Sequence, residues 1–128
     1  MTKADNHNTI LFSEKWSLDD FIGISRLKKI PRTTPSDVQK VSSAHQVLKE
    51  LIAKGHWVYG VSSGFGPLAS EDASDNPLRQ ERLIYHLATG VGTKLQPEIV
   101  RMMFALRLKQ LSQGFSGIHP DTFQSLTD

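Results

Sequence analysis

The sequence predicts a mainly α chain with short β elements near the N-terminus and before a glycine-rich loop at Gly60 to Gly66. Three observations predict it. Apolar residues recur at helical spacing, as at Val38, Val41, Ala44, Val47, Leu48, Leu51 and Ile52. Helix starts pair a capping residue with a following proline, at Thr34-Pro35 and Asn76-Pro77. Glycines stand where those helices should stop.

Each element follows in order. Met1 to Asn8 is polar and reads as a loose tail, and Thr9 to Phe12 as a short strand. Ser17, with Asp20 three residues on, is an N-cap with an acidic first turn, opening a helix to about Leu27 that Pro31 ends. Thr34 caps the next helix, Pro35 takes its first position, and Gly55 closes it. Trp57, Val58 and Val61 suggest a strand entering the glycine loop. Ser70 to Asn76 reads as a polar loop, and Pro77 to Ala88 as a helix broken by Gly90-Val91-Gly92. Pro97 starts a helix with Ile99, Val100, Met103, Leu106, Gln110 and Leu111 on adjoining faces, ended by Gly114 and Gly117. His119-Pro120 begins a last segment with Phe123 and Leu126 on one face. These helices carry more apolar surface than so few elements can cover, which suggests a piece of a larger structure.

Composition narrows the function classes. The 128 residues contain no cysteine, so thiolate chemistry and disulfides are excluded. The net charge of +2 is small, and Lys28, Lys29 and Arg32 form the only tight basic cluster. A nucleic-acid surface needs a stripe of such charge, so none is expected. Ile10-Leu11-Phe12 is too short for a membrane span or a signal core, and a cytoplasmic setting is the default.

The stretch Tyr59-Gly60-Val61-Ser62-Ser63-Gly64-Phe65-Gly66 carries the most chemistry. Its glycines allow tight bends and a close backbone approach. They lack the dinucleotide spacing, and no GxxxxGK[ST] occurs, so a phosphate cradle is not expected. His7, His45, His56, His86 and His119 are scattered without ligand spacing, so no metal site is expected. Tyr59 reads from spacing alone as a packed tyrosine with a bonded hydroxyl. A phenol serves as a base near neutral pH only where positive partners or helix N-termini lower its ordinary pKa of about 10. His86 and Tyr85 read alone as a polar contact and a core residue on their helix.

Those residues resemble the tyrosine loop of the aromatic amino acid ammonia-lyase family, which includes histidine, phenylalanine and tyrosine ammonia-lyases and related aminomutases. Three further segments agree in order: Gln80 to Gly92, Val100 to Arg107, and Gln113-Gly114-Phe115-Ser116-Gly117. The resemblance implies that residues 9–128 are the N-terminal segment of a larger α-helical lyase domain, working as a homotetramer. It implies a methylidene-imidazolone cofactor formed from an Ala-Ser-Gly tripeptide, which this sequence does not contain. It further implies that Tyr59 is the catalytic base, that His86 and Leu87 with Gly66 bind the substrate, and that Gly60 and Gly64 shape the loop. His86-Leu87 matches the pair of tyrosine-selective members, and an imidazole there can hydrogen-bond a para-hydroxyl. Ser62-Ser63 stands where relatives usually carry Asn-Thr or Thr-Thr, and Arg82 where asparagine is frequent. The implied reaction is non-oxidative deamination of an aromatic amino acid to an arylacrylate and ammonia, with the isolated chain inactive. A split-enzyme subunit, a non-catalytic partner of a lyase, and an aminomutase fragment are the alternatives.

Overall fold

A computed structural model describes residues 8–68, 81, 84–85 and 87–127. The backbone divides into two compact units, Met1–Val47 with Lys94–Asp128, and Leu48–Thr93.

The first unit opens with β1 (Thr9–Leu11), α1 (Leu18–Ser25) and β2 (Ile30–Arg32). The strands pair in parallel, with Thr9, Ile10 and Leu11 opposite Ile30, Pro31 and Arg32. Parallel strands need a crossover, and α1 supplies it. β2 was not among the expected elements, because Pro31 read only as a helix stop. The ladder tolerates it because the bonds on this side come from its neighbours. Ile30 N–H donates to the Asn8 carbonyl at 2.7 Å, and the Arg32 carbonyl accepts from Phe12 N–H at 3.0 Å.

α1 begins at the expected cap. Asp20 N–H donates to Ser17 Oγ at 3.3 Å, and Ser17 N–H donates to Asp20 Oδ2 at 2.7 Å, a reciprocal capping box. The Lys29 ammonium, then the Ser17 donors, hold the Asp20 carboxyl well below its usual 3.8, at about 2. A carboxyl depressed on folding stabilises the fold fully above its unfolded value and loses that contribution as pH falls. The chain and its Asp20→Asn variant should therefore differ in melting temperature at pH 5 and converge between about pH 4 and 2. A melting series across that range checks this, and a constant gap would refute it.

α2 (Pro35–Ala53) starts as expected at Thr34, whose Oγ1 accepts from Asp37 N–H at 3.2 Å. Asp37 returns the bond, accepting from Thr34 N–H at 2.9 Å, and is buried. α3 (Pro97–Leu111) and α4 (Pro120–Thr127) complete the unit. α1 packs chiefly on α3. Arg101 on α3 donates through Nε to the Ser25 carbonyl at 2.7 Å, satisfying an end group of α1. Between α2 and α3, Gly114 lies against backbone. A Cβ there would fall 2.7 Å from the Lys40 carbonyl oxygen, so only glycine fits.

The core of this unit joins Ile10, Phe12, Trp16, Ile24, Val41, Ala105, Leu108, Leu111 and Phe123. Phe12 stacks on Trp16 at 5.2 Å and leans on Phe123 at 6.4 Å between centroids. Lys109 closes one side, with its ammonium 5.0 Å from the centre of the Trp16 ring and donating to the Phe12 and Glu14 carbonyls. Burial lowers its pKa, opposed by the nearby Asp37 and Glu14 carboxylates. Of the face expected on α3, Leu111 is buried, whereas Ile99, Val100, Met103 and Leu106 are exposed. The residues turned inward are Ala105, Leu108 and Leu111. This helix is apolar on several sides, and α1 covers one of them. Val47, Leu51 and Ile52 on α2 are likewise exposed.

Candidate functional site

The second unit carries the Tyr59 loop. α2 ends as its glycine predicts. Gly55 N–H donates to the Ile52 carbonyl at 2.9 Å, and His56 N–H to the Leu51 carbonyl at 2.9 Å, which closes the last turn and releases the chain at His56.

The strand expected at Trp57 to Val61 is instead a turn. A strand needs its amides turned outward to a neighbour, and here they turn inward. The Val58 carbonyl accepts from Val61 N–H at 3.1 Å and Ser62 N–H at 3.0 Å. Val58 N–H donates to Ser62 Oγ at 2.8 Å. Gly60 has φ +73, which extended structure does not use. It also admits a close neighbour: a Cβ on Gly60 would sit 2.4 Å from the Phe65 ring. The glycine thus lets Phe65 fold back over the turn.

That fold-back frames Tyr59. The Phe65 ring meets the Tyr59 ring edge-on at 5.9 Å, and Trp57 lies 6.3 Å away on a tilt. Tyr59 Oη accepts from Gly66 N–H at 3.0 Å. Gly66 opens a single 3₁₀ turn, Gly66–Leu68. Tyr59 is 55% exposed, so its hydroxyl stands at an open surface, with the oxygen anchored by an amide. Such a phenol is held in place by its ring contacts and one bond. Gly64 is buried within the loop, where Ser63 Oγ donates to its carbonyl at 3.1 Å.

The other expected site residues are distributed as follows. Tyr59, Gly60, Gly64 and Gly66 come together in one turn. Leu87 stands at the end of a helical stretch in the same unit and is exposed. Tyr85, one helical turn after Glu81, donates its hydroxyl to that carboxylate at 3.3 Å and is exposed, so it is not a core residue. His86 and Arg82 lie outside the described residues, as do the start of their helix and the polar loop before it. Spacing did not single out Ser62 and Ser63 as site residues. Their signal was two short hydroxyls three and four positions after the tyrosine, where side chains readily bond the local backbone.

Two depressions indent the first unit, one lined by Phe12, Trp16, Phe21, Lys40 and Lys109 among others, the second by Leu106, Gln110 and Phe115 among others. Neither includes Tyr59. Among the described residues no three ligating side chains converge on a metal position, and no helix is long and apolar enough to cross a membrane. The sequence has no Ala-Ser-Gly from which a methylidene-imidazolone ring could form. Ser62-Ser63-Gly64, which shares the last two residues of that tripeptide, has both hydroxyls engaged in holding the Tyr59 turn.

The chain is 32% identical over 130 aligned residues to a histidine ammonia-lyase of Streptococcus pyogenes, with all of the chain and 25% of that protein covered. Its fold superposes on histidine ammonia-lyase from Trypanosoma cruzi with a TM-score of 0.73 at 27% identity, covering 94% of this chain and 24% of the other. Ergothionase from Treponema denticola gives a TM-score of 0.84 at 22% identity, over 94% and 25%. The chain thus spans about a quarter of the length of the relatives it matches. The profile described as aromatic amino acid lyase matches residues 16–128, and the chain belongs to that family.

Proposed function

We propose that this chain supplies the catalytic-base loop of an aromatic amino acid ammonia-lyase, with Tyr59 taking the β-proton of the substrate as ammonia departs. One observation carries the reading: within a family member, the Tyr59 phenol is surface-accessible yet fixed, its oxygen bonded to Gly66 N–H and its ring braced by Phe65. The electrophilic ring associated with this chemistry activates the amino acid for elimination, and no residue of this chain forms it. The chain's own contribution is to place the acceptor of a proton and to leave a face open for a substrate. Alone it has no means of acidifying a β C–H bond. We propose a homotetrameric assembly in the complete enzyme.

The substrate is proposed to be tyrosine or a related para-hydroxylated amino acid, through His86-Leu87. A buried para-hydroxyl without a partner costs binding, and an imidazole supplies the partner. The two ammonia-lyases compared above bear the histidine name, so this selectivity is a specific departure to test. Residues 9–128 are to be grafted in place of the matching segment of the Streptococcus pyogenes enzyme, and arylacrylate formation followed with tyrosine, phenylalanine and histidine. The graft should turn over, and His86→Phe should shift its kcat/KM ratio from tyrosine toward phenylalanine by about tenfold or more. An assembled graft inactive on all three substrates refutes the lyase reading. An unshifted ratio refutes the role of His86. The purified 128-residue chain should form no arylacrylate from any of them.

A further inference from the structure

We propose that Ser63 is a positioning residue for Tyr59, setting where the phenol stands by holding the peptide that leaves it. The inference deepens the reading above and rests on it for its catalytic meaning.

Ser63 is fully buried, although a serine in a surface loop ordinarily faces water. Its hydroxyl makes two bonds. It accepts from Gly60 N–H at 3.2 Å and donates to the Gly64 carbonyl at 3.1 Å. The Gly60 amide belongs to the Tyr59–Gly60 peptide, so the first bond fixes the plane into which the Tyr59 Cα is built. The second ties that peptide to the start of the segment that carries Phe65 and Gly66. These two residues touch the Tyr59 side chain, by a ring edge at 5.9 Å and by the bond to Oη at 3.0 Å, while Trp57 lies against the ring at 6.3 Å. The hydroxyl therefore sets the spacing between the backbone that presents the phenol and the backbone that receives it.

The other side of Tyr59 is held separately. Ser62 Oγ accepts from Val58 N–H at 2.8 Å, and the Val58 carbonyl takes two amides of the turn. Loss of Ser63 alone would leave that half in place. It would free the Gly60 amide and the Gly64 carbonyl, and the distance from Tyr59 Oη to Gly66 would no longer be imposed. Ser63 is fully buried and its hydroxyl bonds the Gly60 amide and the Gly64 carbonyl rather than the phenol oxygen, so its effect passes through Tyr59.

Amide hydrogen exchange in the isotope-labelled 128-residue chain, resolved residue by residue, tests this without any need for turnover. In Ser63→Ala the Gly66 amide should exchange about five- to tenfold faster, as for one lost hydrogen bond in a locally opening segment, with the amides of α3 unchanged. Ser63→Thr, which keeps the hydroxyl, should restore the Gly66 rate to within about twofold of the native chain. Tyr59→Phe removes the acceptor. It should speed Gly66 while leaving Gly60 protected, since Ser63 remains. An unchanged Gly66 rate in Ser63→Ala overturns the proposal, as does Ser63→Thr behaving like alanine. So does loss of Gly60 protection in Tyr59→Phe, which would make the loop one cooperative unit with no separate role for Ser63. A failed lyase graft would leave these rates unaffected, and unchanged rates would leave the lyase reading standing.

Discussion

Tyr59→Phe in the grafted lyase is expected to lower kcat by about 10²- to 10⁴-fold, the range that a positioned proton acceptor contributes, with little change in KM. The substitution is conservative in everything but the oxygen. The phenyl ring keeps the Phe65 edge contact at 5.9 Å and the Trp57 contact at 6.3 Å, so the loop retains its aromatic frame. What disappears is the atom bonded to Gly66 N–H, which is the only atom of that side chain able to take a proton. Since the loss falls on the transition state rather than on the bound substrate, it should appear in kcat. Steady-state kinetics of the graft and its variant check this. A kcat within threefold of the unmodified graft would remove Tyr59 from the chemistry.

Phe123→Ala should destabilise the first unit by about 3–5 kcal/mol, the usual cost of emptying an aromatic site in a core. Small domains have only about 5–15 kcal/mol in total, so this single change removes a large part of what holds the unit together. Phe123 is entirely buried on the two-turn helix α4, and its ring leans on Phe12, which in turn stacks on Trp16. An eight-residue helix has little stability of its own, so α4 depends on that anchor. Urea denaturation should show the midpoint falling sharply in Phe123→Ala. Phe115→Ala, at a ring that is 90% exposed, should shift it by less than about 0.5 kcal/mol. Equal effects in the two variants would mean that Phe123 is not the anchor.

The helix boundaries were legible because their determinants are local. The Ser17 and Thr34 caps bond to residues three positions away, and the Gly55 stop closes on Leu51 and Ile52. β2 was not legible, since Ile30 and Arg32 become a strand only through Asn8 and Phe12, about twenty residues earlier. The buried side of α3 was not legible either. Ile99, Val100 and Met103 are as apolar as Leu108, and only the positions of the elements packed on α3, α1 and α4 among them, decide which of them is covered.

The candidate site divides in the same way. Tyr59 and its glycines stand out in the sequence because a phenol among residues free to bend is a rare local combination, and the four ordered segments place the chain in its family. The turn that replaces the expected strand is held by bonds three and four residues apart, whereas the fold-back of Phe65 over Gly60 and the bond from Gly66 to the phenol were decided only as the loop closed on itself. The physical reason is range. Caps and glycine stops act within one helical turn, whereas a ladder or a covered helix face depends on which distant group arrives to meet it, and an anchored hydroxyl on how the loop between the partners closes.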